Sequence, residues 1–279
     1  MRHGLDFIGE FIGTFLMILF GLGAGMASGL FGAHSGLFQI ALLWGFGVTI
    51  AIYATRHLSC AHFNPAVSIA MVIGRRMPAS QLPVYLVAQF LGAFAAAALL
   101  YLLFGDSFAQ FEAVHHIVRG TPESVKTAMM FGEFYPSPGA APVAVVTQGI
   151  AFLTEAFGTF VLIFLVFSLT EGCNVGRPDD ALAPLFIGFI VALLISFIAP
   201  LTQAGFNPAR DLSPRVFSML AGWGRAALPD ATGGFITVYV LGPICGGAAA
   251  ALLFSRVIGP LMHRKNAGLA AANEECEPR

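Results

Sequence analysis

Apolar residues run along this chain in blocks too long to form one buried face of a soluble helix. A helix that crosses a bilayer needs roughly 20 mainly apolar residues, at about 1.5 Å of rise each. Six stretches meet that length, at about 5–27, 37–56, 81–104, 147–170, 181–200 and 233–257. Two further apolar pieces, 64–74 and 207–219, are too short to span. Each begins in a repeated phrase: Cys60-Ala61-His62-Phe63-Asn64-Pro65-Ala66 in the first half, and Ala204-Gly205-Phe206-Asn207-Pro208-Ala209-Arg210 in the second. Asn followed by Pro is the chemistry of a helix start, an N-cap with proline at the first helical position. The pattern predicts two half-helices that enter the bilayer and are wrapped by six full ones. Irregular backbone at that depth is tolerated only against protein or a water-filled cavity.

A repeat supports the pairing. Glu10-Phe11-Ile12-Gly13-Thr14-Phe15 opens the first half and Glu155-Ala156-Phe157-Gly158-Thr159-Phe160 the second. Further on, Gln89-Phe90-Leu91-Gly92-Ala93-Phe94 is echoed by Pro243-Ile244-Cys245-Gly246-Gly247-Ala248. Three spans per half is an odd number, so the second half inserts upside down relative to the first. Inverted repeats with broken helices place the functional site at their interface. The reading is an all-α membrane protein with six transmembrane helices and two re-entrant half-helices in an inverted repeat. Residues 1–262 form one channel domain, with repeats over 5–104 and 147–258 joined by an outer loop, 105–146; residues 263–279 form a cytoplasmic tail.

Composition agrees. The 279 residues are 57% hydrophobic and 10% charged, against about a quarter charged in soluble domains. A formal net charge of -1 gives no basis for nucleic-acid binding. With the N-terminus inside, Arg2, Arg56, Arg75, Arg76, Arg177, Arg256, Arg264, Lys265 and Arg279 lie in inner segments. Arg119, Lys126, Arg210, Arg215 and Arg225 lie in outer ones. That excess favours both termini in the cytoplasm. Residues 1–30 do not read as a cleaved signal, because Glu10 interrupts an apolar run that is too long. Cys60, Cys173, Cys245 and Cys276 show no metal or disulfide spacing, and the apolar contexts of Cys60 and Cys245 read as buried small residues. His115-His116 could point to a metal, but no third ligand is evident, and a solvated pair is the simpler reading. No cofactor is called for. A membrane enzyme would need a nucleophile–base pair or metal cluster that the spacing does not supply.

Asn64 and Asn207 are the central pair. Each starts a helix whose first N–H groups lack partners and whose dipole puts about half a positive charge at that end. Each also carries an amide that can donate into a lumen. An oxygen accepting from both must turn its own hydrogens away, which interrupts a proton wire, while the field repels cations. Glu10 and Glu155 sit in apolar spans, where a charge is costly and usually paired or functional. They are expected to accept from backbone N–H groups of the half-helix loops, with His62 supporting the first loop in a similar way. Proton coupling through Glu10, Glu155 and His62 is the competing reading. Arg210 is expected to be the only formal charge at the narrow outer part of the pore, and Asp211 and Arg215 to pair at i,i+4 spacing.

The paired Asn-Pro-Ala motifs, the six spans and the repeated Glu-x-x-Gly-Thr-Phe resemble the aquaporin, or major intrinsic protein, family over about residues 5–258. Within it the chain is most similar to bacterial glycerol facilitators, through Trp44-Gly45-Phe46-Gly47-Val48, His115-His116-Ile117-Val118-Arg119-Gly120, Leu182-Ala183-Pro184-Leu185 and Asn207-Pro208-Ala209-Arg210-Asp211. The resemblance implies a homotetramer in the cell membrane, one passive pore per subunit, passing glycerol, small polyols, water, and urea or arsenite-like neutral hydroxides. It places the selectivity filter at Trp44, Ile195, Ala204 and Arg210. The pore motifs fall on Asn64, Pro65, Ala66, Asn207, Pro208 and Ala209, and the lining or loop support on Cys60, Ala61, His62, Gln203, Gly205 and Phe206 with the two glutamates. The chain also departs from the family. A glycerol facilitator is expected to have Phe in place of Ala204 and Gly in place of Ile195, and a water-selective pore to have His in place of Ile195. Cys60 stands where the family usually has Gly. Tyr239 is like the water branch and Val240 like the glycerol branch. Ile195 or a reoriented Phe206 could occupy the space vacated at 204, and a water-selective channel stays open as the alternative.

Overall fold

The computed structural model describes residues 2–140, 143–229 and 233–276. It is helical throughout, with no strand among the described residues. The helices are α1 (Arg2–Phe31), α2 (Leu37–Thr55), α3 (Pro65–Ile73), α4 (Leu82–Val114), α5 (Val125–Ala128), α6 (Gln148–Leu169), α7 (Ala183–Thr202), α8 (Pro208–Ser218), α9 (Gly234–Ile236), α10 (Gly242–Leu253) and α11 (Gly259–Cys276). Six helical segments are long and apolar enough to cross a membrane: α1, α2, α4, α6, α7 and the run from α9 into α11. The chain is a multi-pass membrane protein.

Helix α1 packs on α2 and α4, and α6 packs on α7 and α10. The two groups meet through α2 and α7. The short helices cross over: α3 lies mainly on α10, and α8 on α4. Small residues permit the tightest contacts, as in other membrane helix pairs. A Cβ on Gly92 would stand 2.4 Å from the Phe11 carbonyl, and one on Gly246 would stand 1.9 Å from the Ala156 carbonyl. These glycines occupy the positions at which the sequence echoes itself, and the carbonyls they admit follow Glu10 and Glu155.

Three features differ from the sequence reading. Helix α4 continues to Val114, ten residues past the apolar block. Phe108 and Glu112 are buried there, and Glu112 accepts from Arg119 Nη2 at 2.8 Å and Thr127 Oγ1 at 2.8 Å. The connection therefore closes over a helix end rather than leaving from it. The last span contains π-helical turns at Thr237–Leu241 and Phe254–Ile258 on either side of α10, and the following segment is helical to Cys276. Cys60 and Cys245 are exposed, not buried. In a membrane protein, apolar neighbours also line outer surfaces and cavities, so an apolar context does not imply burial.

Candidate functional site: two facing loops and a constricted cavity

The loops that precede α3 and α8 meet head to head. Asn64 caps α3 by accepting from Ala66 N at 2.8 Å, and Asn207 caps α8 by accepting from Ala209 N at 3.0 Å and Arg210 N at 3.2 Å. Those caps fix the amide orientation. One N–H of each side chain then reaches across: Asn64 Nδ2 donates to the Phe206 carbonyl at 2.9 Å, and Asn207 Nδ2 to the Phe63 carbonyl at 2.8 Å. An amide has two N–H groups, so each Asn keeps one beyond that bond, and both residues line the same cavity.

Each loop is held from behind by a fully buried glutamate. Glu10 accepts from His62 N at 2.9 Å, Phe63 N at 2.8 Å and Ser59 Oγ at 2.8 Å. Glu155 accepts from Gly205 N at 3.0 Å, Phe206 N at 2.7 Å and Thr202 Oγ1 at 2.6 Å. The sequence reading missed Ser59 and Thr202, although each stands five residues before its Asn. It also missed Tyr85, and the bracing role of Tyr239, both buried behind the loops. Tyr85 Oη accepts from Cys60 N at 3.0 Å, and Tyr239 Oη donates to the Thr202 carbonyl at 3.1 Å. Tyr239 thus braces the second loop from outside the cavity lining. His62 does not accept from the loop backbone. Its ring meets Ser68 Oγ through Nδ1 at 3.1 Å and lies 4.9 Å from the Tyr85 ring.

This network offsets backbone strain. Ala61 and Phe63 in one loop, and Ala204 and Phe206 in the other, have φ of 54°, 51°, 60° and 52°. Left-handed non-glycine residues cost about 1–3 kcal/mol each and persist only where the surroundings over-determine them. Cys60 is not among them, so replacing Gly there imposes no such strain. Phe206 does not turn toward Ala204. Its ring fills the space over Gly158, where a Cβ would stand 2.1 Å from the ring, and Phe63 fills the matching space over Gly13 at 1.9 Å.

A cavity of about 280 Å³ passes the loops, lined by Ala61, His62, Phe63 and Asn64 and by Ala204, Gly205, Phe206 and Asn207. At one end it reaches Arg56, Thr170 and Asp180. At the other it meets a second cavity of about 700 Å³, lined by His34, Ser35, Lys126, Glu133, Gln203 and the segment Ser137–Ala140 among others. Trp44, Ile195 and Arg210 line both. Ala204 lines the first only and Gln203 the second only. The Arg210 guanidinium lies 4.3 Å from the centre of the Trp44 ring. Arg210 is not the only charge here, because the carboxylate of Glu133 pairs with it. Glu133 comes from the long connection and is itself anchored: its N–H donates to Asp211 Oδ1 at 2.8 Å, and its carbonyl accepts from Arg215. Asp211 and Arg215 form a fully buried ion pair. His115 and His116 are exposed, with the His115 ring 4.2 Å from Phe111; among the described residues they join no cluster of three metal-ligating side chains.

Residues 3–254 match the major intrinsic protein family, and the chain belongs to it. It is 43% identical over 256 residues to the glycerol uptake facilitator protein of Haemophilus influenzae, covering 90% of this chain and 93% of that one. It is 41% identical over 271 residues to the glycerol uptake facilitator protein of Pseudomonas aeruginosa, covering 97% and 93%. It is 38% identical over 254 residues to the propanediol uptake facilitator PduF of Salmonella typhimurium, covering 90% and 92%. Among solved structures, the aquaglyceroporin from Plasmodium falciparum superposes with a TM-score of 0.79 at 25% identity, covering 94% of this chain and 99% of that one. The protein is a non-catalytic membrane transport protein rather than an enzyme.

Proposed function

We propose that the chain is a passive transmembrane channel for glycerol and other small neutral solutes, which also passes water and excludes protons. The observation that carries this reading is the pair Asn64 and Asn207, facing each other across one cavity with a spare N–H each. α3 and α8 are then the re-entrant half-helices of an inverted repeat, their positive ends meeting at mid-membrane. A hydroxyl oxygen accepting there is held by donors alone, which breaks a chain of proton relays. The glutamates serve as loop scaffolds, since every hydrogen bond described for their carboxylates is one they accept.

Selectivity is set where the two cavities meet. Trp44, Ile195 and Ala204 offer an apolar wall for a carbon chain, and Arg210 offers donors for hydroxyls. Replacing the expected Phe with Ala204 widens the passage, and Phe206 does not refill it because its ring is committed to Gly158. Glu133 tempers the Arg210 charge and adds an acceptor, which suits polyols that both donate and accept. The glycerol and propanediol facilitators among the similar proteins support this substrate class. The proposed setting is a homotetramer in the cell membrane with both termini cytoplasmic, and urea and arsenite-like neutral hydroxides are further candidate solutes.

Proteoliposomes test the reading. Under an inward glycerol gradient, vesicles are expected to shrink and then reswell, at a rate independent of a pH gradient. Shrinkage without reswelling would make the protein water-selective, and flux that follows the pH gradient would make it a coupled transporter. In the same assay, Ala204→Phe is expected to slow larger polyols more than water; equal slowing of all solutes would remove residue 204 from the filter. Because Cys60 is exposed and lines the cavity, a small thiol reagent is expected to reduce flux several-fold. Cys60→Ser should abolish that sensitivity, and Cys245→Ser should leave it.

A further inference from the structure

Three side chains from two distant parts of the chain converge beyond the end of α6. Glu171 and Cys173 follow that helix, and His263 lies on α11. A Glu171 carboxylate oxygen, Cys173 Sγ and His263 Nδ1 all lie within 4.8 Å of one another. Sγ and Nδ1 are 3.1 Å apart. Solute passage uses none of them. The cluster is open to solvent, with His263 exposed and the other two partly buried.

Carboxylate, imidazole and thiolate together form a ligand set for Zn²⁺. Its bonds of about 2.0–2.3 Å put tetrahedral donors roughly 3.3–3.8 Å apart, within the span observed here after small side-chain adjustments. A thiolate and an imidazole select against Mg²⁺ and Ca²⁺, which prefer oxygen donors. The ligands are also oriented by neighbours, as metal ligands commonly are. Arg76 Nη2 holds Glu171 Oε2 at 2.5 Å, so Oε1 carries no competing ion pair; it accepts from Cys173 N at a long 3.4 Å. Arg76 Nη1 also donates to Thr170 Oγ1 at 2.9 Å. Asn266 Nδ2 donates to the Cys173 carbonyl at 2.8 Å, tying α11 to the same turn. Thr170 lines the cavity end that also holds Arg56 and Asp180, so the cluster adjoins that mouth.

We propose that Glu171, Cys173 and His263 bind a zinc-class divalent cation, with solvent as the fourth ligand, and that the ion fastens α11 to the end of α6. A simple Cys–His hydrogen bond on the surface is the competing account, and cobalt distinguishes the two. Tag-free, reduced, full-length protein titrated with Co²⁺ is expected to show a thiolate-to-cobalt charge-transfer band saturating at one ion per chain. Zn²⁺ should displace it, and an equal concentration of Mg²⁺ should not. Cys173→Ser should eliminate the band, and His263→Ala should weaken binding by about tenfold or more. Cys60→Ser, Cys245→Ser and Cys276→Ser should retain it. Both ligand variants should reconstitute with unchanged metal-free glycerol flux, which separates loss of the ion from misfolding. Absence of the band, its persistence in Cys173→Ser, or its loss in Cys276→Ser would overturn the assignment.

Discussion

Glu155→Ala is expected to abolish solute flux and sharply lower the yield of folded protein. The substitution removes the acceptor for the N–H groups of Gly205 and Phe206 and for the Thr202 hydroxyl. Each buried donor left unpaired costs about 1–3 kcal/mol. Three of them together cost about 3–9 kcal/mol. Phe206 would also lose the bond that holds it at positive φ, and Ala204, whose N–H donates to Thr202 Oγ1, would lose the anchor of that hydroxyl, so the loop should relax and carry Asn207 away from Asn64. Glu155→Gln retains one accepting oxygen and should give intermediate flux. Thermal unfolding in detergent and stopped-flow light scattering on reconstituted vesicles measure the two effects. An alanine variant with normal melting and flux would mean that the Asn207 caps alone hold the loop.

Gly21→Ala is expected to narrow the passage by moving Trp44. A Cβ on Gly21 would stand 2.2 Å from the indole ring, which is itself buried. The ring cannot stay in place. Arg210 lies 4.3 Å from the ring centre and the cavity is beside it, so displacement carries the ring into the constriction. Overpacking of this kind costs about 1–3 kcal/mol. A comparable rise in the barrier to passage slows glycerol roughly tenfold, with water less affected. The double variant Gly21→Ala, Trp44→Phe should recover much of the glycerol flux. Unaltered glycerol flux in Gly21→Ala would show that α1 retreats from α2 instead.

Much of this was legible in the sequence, for a physical reason. A bilayer sets one length for a spanning helix, so six apolar blocks give six spans. The ends were less legible. α4 runs to Val114 because Glu112 finds Arg119 and Thr127 beneath the connection, a tertiary effect outside any hydropathy count. Glu10, Glu155, Asn64 and Asn207 stood out because they occur twice in the same register. Ser59 with Thr202, and Tyr85 with Tyr239, repeat equally well but are ordinary residue types, and only their hydrogen bonds show what they hold. Glu133 has no counterpart in the repeat, so the partner of Arg210 was hidden. The direction of the Phe206 ring depends on the absence of a side chain at Gly158, on another helix. Glu171, Cys173 and His263 show no metal spacing because about 90 residues separate the histidine from the others.

The exchange of amides between Asn64 and Asn207 also constrains how the protein comes into being. Among the described residues, the side-chain donor to the Phe63 carbonyl comes from the second half, and the donor to the Phe206 carbonyl from the first. While the ribosome is still making the second half, the first loop is therefore incomplete, however well α1 and α4 have already paired. Closure waits for residue 207, 144 positions after Phe63 in synthesis. Each half alone leaves its loop carbonyl without that side-chain donor, so a nascent chain stalled between them carries a loop whose last bond is still unmade.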